Sequence, residues 1–361
     1  MHMPPPVHGA AMVGKYIHDS ELVNSEFDCF YINPTTAKNL EDVGKFRFGK
    51  LQNVFKLIKQ IKAMVREKKP EVVYFTPNAN GLPFYKDFLI VRTLKQMGCK
   101  VVIHYHNKGV STRQSKWFDD ALYKRFFKDI KVILLAEALY EDIKKYVKRE
   151  DVMICGNGIP DLYDNKMERL CNIHSLSAIN ILYFSNMMTE KGVWTLVDAC
   201  SVLHDKGIKF ECHFVGRWMD ITESTFRNCI KTYGLQDCVF SHGAKYGTEK
   251  EPFFANADIM VLPTYYRNEC FPLVLLEGMM HGLACISTNE GGIPDIIDNN
   301  ETGLIVEKQD AQALADAIEW MINHPEERKR MGEKGREKFL KEYTIERFEE
   351  RFVETISHFM A

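Results

Sequence analysis

The sequence predicts an α/β protein made of two doubly wound, parallel-sheet domains. Three observations lead there. Short β-branched or aromatic runs alternate with amphipathic segments from end to end, as in parallel strands covered by helices on both faces. The 361 residues suffice for two domains of ordinary size. The charge also divides: residues 1–170 carry 28 Lys and Arg against 20 Asp and Glu, and the remainder 19 against 29. A net charge of −2 therefore hides a basic first half and an acidic second half. Such halves suggest domains with different partners, the basic one facing something anionic.

In chain order, strands are expected at 72–75, 101–106, 131–135, 179–184, 210–215, 259–262 and 284–287. The clearest helical patterns lie at 50–69, 193–205, 312–323 and 326–339. The opening is abrupt: only Met1, His2 and Met3 precede Pro4-Pro5-Pro6. A doubly wound domain begins on a buried strand, so either that strand is very short or the start is truncated. Polar residues at 161–177, after Gly156-Asn157-Gly158-Ile159-Pro160, mark a boundary and give domains at 1–168 and 169–342. The segment 343–361 has apolar residues at Ile345, Phe348, Phe352, Ile356 and Phe359. That spacing predicts a closing amphipathic helix, capped by Thr344 and packing back on the first domain.

Composition excludes several classes. With 45% hydrophobic and 27% charged residues, the chain is neither disordered nor low-complexity. No apolar run approaches the roughly 18 residues of a membrane span, and the N-terminus lacks the apolar core of a secretory signal. Ten cysteines with no C-x-x-C pair suggest neither a zinc cage nor a disulfide framework. A cytoplasmic protein is expected.

The most informative stretch is 257–292, ADIMVLPTYYRNECFPLVLLEGMMHGLACISTNEGG. An apolar strand ends at Pro263-Thr264, a loop carries Glu269, and a helix opens near Pro272, where the missing N–H does no harm. The N–H groups of such a helix start suit an anion or sugar hydroxyls. Glu277, about two turns along, suits two adjacent hydroxyls, as on a ribose.

The segment E-C-F-P-L-V-L-L-E resembles the E-x7-E motif of retaining glycosyltransferases of the GT-B fold, most closely glycosyltransferase family 4 (glycosyl transferases group 1). PPPVHGAAMVG, NGIP, EKG, FVG, HG, ADIMVLPT, GGIPDII and ETGLIV follow the same pattern in the same order. The resemblance implies two Rossmann-like domains facing across a cleft, the first for acceptor and the second for nucleotide-sugar. By the same resemblance, Glu277 binds the ribose, while Glu269 and the backbone at Cys270, Phe271 and Leu273 hold the donor sugar. Lys191 contacts the diphosphate, Gly9 lets the backbone approach it, and His106 lies near donor sugar and acceptor. The family's arginine five residues before the lysine is here Asn186, which donates but carries no charge. Arg217, directly after FVG, is the candidate substitute cation. Lys191, Glu269 and His106 form the expected catalytic set.

No cofactor and no metal are expected. His104 and His106 share a strand face, but no third ligand has recognisable spacing and no D-x-D occurs. Residues 45–69 hold nine Lys and Arg and one acid, with an apolar stripe of Leu51, Val54, Phe55, Ile58, Ile61 and Val65. Lys56, Lys59, Lys62 and Arg66 flank it, which suits either an ordinary domain helix or a helix on an anionic membrane. The expected partners are a nucleotide-sugar, a glycan or lipid-linked acceptor and an anionic membrane surface at the inner leaflet. Nucleic acid is not expected, since no recognition motif accompanies the charge. Two further readings compete with the transferase: a sugar-nucleotide epimerase of the same fold, and a catalytically weak binding or scaffold module.

Overall fold

The computed structural model describes residues 1–4, 9–34, 48–163 and 178–360. Pro5 and Pro6 in the opening motif, the predicted 168/169 boundary and most of the polar linker lie outside these residues. The chain divides into two compact units, Met1–Gly158 joined by Ile345–Ala361, and Ile159–Thr344.

The first unit holds a parallel sheet of β1 (Val72–Phe75), β2 (Lys100–Tyr105), β3 (Lys131–Leu134) and β4 (Val152–Ile154), paired in that order. In β2 every residue after Lys100 is buried, which explains the apolar run Val101–Ile103. Its helices are α1 (Gly9–Asp19), α2 (Glu21–Glu26), α3 (Phe48–Lys68), α4 (Gly81–Gln96) and α5 (Trp117–Phe127). The last helix of the chain, Ile345–Met360, belongs to this unit. Its Phe348, Phe352 and Ile356 are buried with Val13, Ile17 and Val23 of α1 and α2, Val102 of β2 and Ile133 of β3. Tyr74 meets Phe352 edge-on at 5.1 Å, and Arg351 Nη2 donates to the Gly156 carbonyl at 3.2 Å.

On α3 the predicted apolar stripe needs correction. Leu57, outside that stripe, is buried, whereas Phe55 is 68% exposed beside the exposed Lys56 and Lys59; the side chain of Leu51 lies outside those described. Val54, Ile58, Ile61 and Val65 are half-buried, as is Lys62, and Arg66 is exposed.

The second unit holds six parallel strands: β5 (Ile179–Phe184), β6 (Phe210–Val215), β7 (Val239–Ser241), β8 (Ile259–Leu262), β9 (Ala284–Thr288) and β10 (Gly303–Val306). Their spatial order is β10-β9-β8-β5-β6-β7. The chain first builds outward from β5 to β7, then returns to β5's other side and builds outward from β8 to β10. Strand order thus reverses between β5 and β8, which pair Ile181 with Ile259 and Leu182 with Met260. In a doubly wound sheet the crevice beyond the carboxyl ends of those two strands is where ligands sit.

Ile159 N–H donates to the Tyr343 carbonyl at 3.0 Å, and Ile159 bridges to Thr344.

Candidate active site

The loops following β5 and β8 supply the centre of the site. After β5 the backbone passes Ser185 and Asn186, makes a short 3-10 turn over Thr189–Lys191 and reaches Gly192 at φ 81°. A Cβ on Gly192 would lie 2.1 Å from the Pro263 carbonyl oxygen, so only glycine lets the two loops come this close. Tyr265 N–H donates to the Glu190 carbonyl at 2.8 Å and ties the loops together.

Lys191 and Glu269 meet there. Lys191 Nζ lies 2.5 Å from Glu269 Oε2, with both side chains nearly buried. Thr264, fully buried at the end of β8, directs its Oγ1 to the same carboxylate at 3.4 Å. The Lys191 ammonium also stands 5.1 Å from the centre of the Tyr266 ring, near enough for a cation–π attraction. Gly291 fixes the loop from behind. At φ 59° it packs against the Glu269 carbonyl, where a Cβ would stand 2.2 Å from the oxygen, and Gly292 N–H donates to the Cys270 carbonyl at 2.7 Å. The GG of GGIP thus holds the shape of the Glu269–Cys270 backbone.

Cys270, Phe271 and Pro272 are buried and lead into the helix Leu273–Met280, which Pro272 enters without a side-chain cap. Glu277 is the fifth residue of that helix, little more than one turn in rather than the two expected, because the helix opens only at Leu273. Its Oε1 accepts from Lys250 Nζ at 2.9 Å, and its Oε2 is buried without a hydrogen-bond partner. Beside it, His281 Nε2 is 3.2 Å from Glu251 Oε2, and its ring stacks on Phe254 at 5.2 Å. Burial, with Lys250 and Arg336 nearby, pushes the His281 pKa down to about 4.

Asn186 is exposed at the carboxyl end of β5, and its carbonyl accepts from the Tyr183 hydroxyl at 3.0 Å. Arg217 follows β6 and is half-buried; its carbonyl accepts from Met187 N–H at 2.8 Å, placing it beside the β5 loop. Gly216 makes that approach possible, because a Cβ there would meet the Ser185 carbonyl oxygen at 1.7 Å.

In the first unit, His106 lies one residue beyond β2 rather than inside the strand. The loop after it is fixed by Asp142, which accepts from the N–H groups of Gly109, Val110 and Ser111 at 2.8, 3.0 and 2.9 Å. His104 is buried with its Nδ1 2.9 Å from the Tyr74 hydroxyl, and its ring is 4.3 Å from that of His106. Burial holds His104 well below the ordinary imidazole pKa, and the neighbouring His106 adds to this. Gly9 begins α1 and is exposed. Among the described residues, no group of three His, Cys, Asp or Glu side chains is arranged to hold a metal ion.

Sequence reasoning missed Thr264, Tyr266 and Lys250. Thr264 was within reach, as the last residue of the quoted ADIMVLPT. Lys250, 27 positions before Glu277, carries no local signal and reads as a solvated lysine.

Residues 175–338 match the family model described as Glycosyl transferases group 1. That match falls on the second unit, which is similar to the group 1 glycosyltransferases, and the two parallel-sheet units have the GT-B fold. The chain is 28% identical over 256 residues to the amylovoran biosynthesis glycosyltransferase AmsK of Erwinia amylovora, covering 66% of this chain and 61% of that protein. It is 29% identical over 146 residues to the putative colanic acid biosynthesis glycosyltransferase WcaL of Escherichia coli, 39% of this chain and 35% of that one. The chain thus spans from about a third to about three fifths of these relatives. The fold matches Anabaena HepE in complex with UDP at a TM-score of 0.72 and 15% identity, covering 84% of this chain and 82% of HepE. It matches sucrose-phosphate synthase from Thermosynechococcus elongatus at 0.70 and 20%, covering 87% and 80%.

Proposed function

We propose that the protein transfers a sugar, with retention of configuration and without a metal, from a nucleoside diphosphate-sugar to a hydroxyl of a glycan or lipid-linked acceptor. The pairing of Lys191 with Glu269 where strand order reverses carries this reading. Such transfer requires positive charge where the diphosphate departs and polar groups around a sugar that becomes oxocarbenium-like. Preorganised charge of this kind is usually the dominant contribution to rate. Lys191 supplies the cation, and Arg217 beside the same loop takes the place of the arginine that Asn186 lacks. Glu269 and the backbone from Cys270 to Leu273 hold the donor sugar, and Glu277 the ribose.

A diphosphate leaves readily, so the paired acid and nucleophile of a glycosidase are not needed. The acceptor hydroxyl attacks the anomeric carbon from the face the diphosphate leaves. As that C–O bond breaks and the new one forms, a diphosphate oxygen takes the hydroxyl proton. Glu269 is engaged by Lys191 and Thr264, which favours a binding role over that of a covalent nucleophile. His106, on its Asp142-braced loop, is the candidate contact to acceptor and donor sugar in the first unit.

The amylovoran and colanic acid relatives support a role in bacterial surface polysaccharide assembly, and the UDP-bound HepE structure supports UDP as the first nucleotide to test, before GDP and ADP. A cytoplasmic location, peripheral to the inner leaflet, follows from a lipid-linked acceptor. Its membrane contact is the basic surface of the first unit, where Trp117 is 82% and Phe118 51% exposed beside Lys116, Lys124 and Arg125. No helix among the described residues is long and apolar enough to cross a membrane.

Calorimetric titration with UDP, GDP and ADP, first without metal and then with magnesium, tests the donor site. The expected outcome is saturable binding of one nucleotide, unchanged by magnesium. Failure of all three to bind would overturn the reading in favour of a scaffold module. Conversion of a nucleotide-sugar to its epimer without acceptor would favour the epimerase.

A further inference from the structure

Glu277 is only half accounted for by its surroundings. Lys250 Nζ occupies Oε1 at 2.9 Å, and Oε2 is buried with no hydrogen-bond partner. A carboxylate oxygen withheld from water and left without a donor is unfavourable, and such an atom calls for an explanation. The side chain is not sealed in the core, because 16% of its surface is exposed, as is 18% of that of Lys250.

Lys250 is itself held in place by the chain around it. It ends the 3-10 turn Gly247–Lys250 and directly precedes the helix Glu251–Ala255. Its ammonium acts on two carboxylates. Burial raises the pKa of Glu251, the charge of Glu277 raises it further, and Lys250 opposes both. His281, one turn beyond Glu277, approaches Glu251 and closes the cluster. Without Lys250, the mutual repulsion of Glu251 and Glu277 would lose the charge that opposes it.

We propose that Lys250 is a positioning residue for nucleotide recognition. It neutralises and anchors Glu277 through Oε1, so that Oε2 is presented, unpaired, to accept a hydrogen bond from the vicinal hydroxyls of a ribose. This rests on the reading of Glu277 as the ribose-binding carboxylate. It makes the preference for ribonucleoside over deoxyribonucleoside diphosphates a property of the pair rather than of Glu277 alone.

The test compares UDP, GDP or ADP, whichever binds, with its 2′,3′-dideoxy counterpart. Wild-type protein, Lys250→Met, Lys250→Arg and Glu277→Gln are titrated, with thermal unfolding as a check on folding. Wild type should prefer the ribonucleotide by about tenfold or more, the scale of a hydrogen bond to a charged group. In Lys250→Met the preference should fall to near unity, mainly by loss of ribonucleotide affinity, and Lys250→Arg should restore most of it. A Lys250→Met protein that keeps the wild-type preference, or loses affinity for both nucleotides equally, overturns the proposal. If Glu277→Gln abolishes the preference while Lys250→Met retains it, only the role of Lys250 falls. If wild type shows no preference or binds no nucleotide, the ribose-site reading falls with it.

Discussion

Lys191 and Glu269 are 78 positions apart in the chain and reach each other from loops after different strands. In the absence of donor, each is the other's counter-ion. On the proposed reading a diphosphate entering the site would compete with Glu269 for the ammonium, and losing Lys191 should differ in effect from losing Glu277. Lys191→Ala should lower turnover by roughly 10² to 10³ while weakening donor binding much less. Glu277→Ala should act mainly through donor binding. Steady-state kinetics with donor varied at saturating acceptor separates the two, and wild-type-like constants for both variants would remove the site assignment. These residues were legible because the E-x7-E spacing and the EKG triplet are local. Their partners were less so: Tyr266 and Lys250 earn their places only once strands far apart in sequence become neighbours in the sheet.

Two helices illustrate how packing decides what periodicity leaves open. In Ile345–Met360 the apolar spacing and the burial agree, with Phe348 fully buried and Phe352 and Ile356 nearly so. Phe348→Ala should cost about 3–5 kcal/mol, read as a lower denaturant midpoint with an unchanged slope. On α3 the spacing pointed to a stripe that includes Phe55, but contact with the rest of the unit buries Leu57 and leaves Phe55 outside. No single-helix pattern contains that choice. The helix Leu273–Met280 and its successor turn carry a further expectation. His281, with a side chain only 3% exposed, titrates near 4 in the folded protein against about 6.5 unfolded. Its unfolded form therefore binds a proton first, so the stability it contributes is complete above about pH 6.5 and is lost as pH falls towards 4. The loss should not exceed about 3 kcal/mol. His281→Phe, which keeps the ring on Phe254, should flatten that part of the curve in urea titrations at pH 7 and pH 4.5.

At the scale of the molecule, the alternation of strands and helices made the two parallel sheets legible, but not the strand order. That β8 returns beside β5 depends on the long-range pairing of Ile181 and Leu182 with Ile259 and Met260, and this return places the Lys191 and Glu269 loops together. The charge asymmetry concerns partners rather than fold. If the basic first unit contacts membrane, the protein should sediment with vesicles containing anionic lipid and not with neutral ones, and 0.5 M salt should release it. Replacing Trp117 and Phe118 by Ser should weaken that binding without changing the urea midpoint, since both side chains are largely exposed. Equal pelleting with both lipids would exclude the electrostatic surface.

The first unit is also discontinuous: Met1–Gly158 is completed by Ile345–Ala361. During synthesis, Met1–Gly158 therefore waits for Ile345–Ala361 while the whole second unit is made between them. Val13, Ile17, Val23 and Ile133 have emerged from the ribosome long before Phe348, Phe352 and Ile356 arrive to cover them. The second unit has all its strands as soon as Thr344 is made. The order of translation and the order of completion are thus reversed, and until Phe348 emerges the nascent first unit carries an uncovered apolar surface.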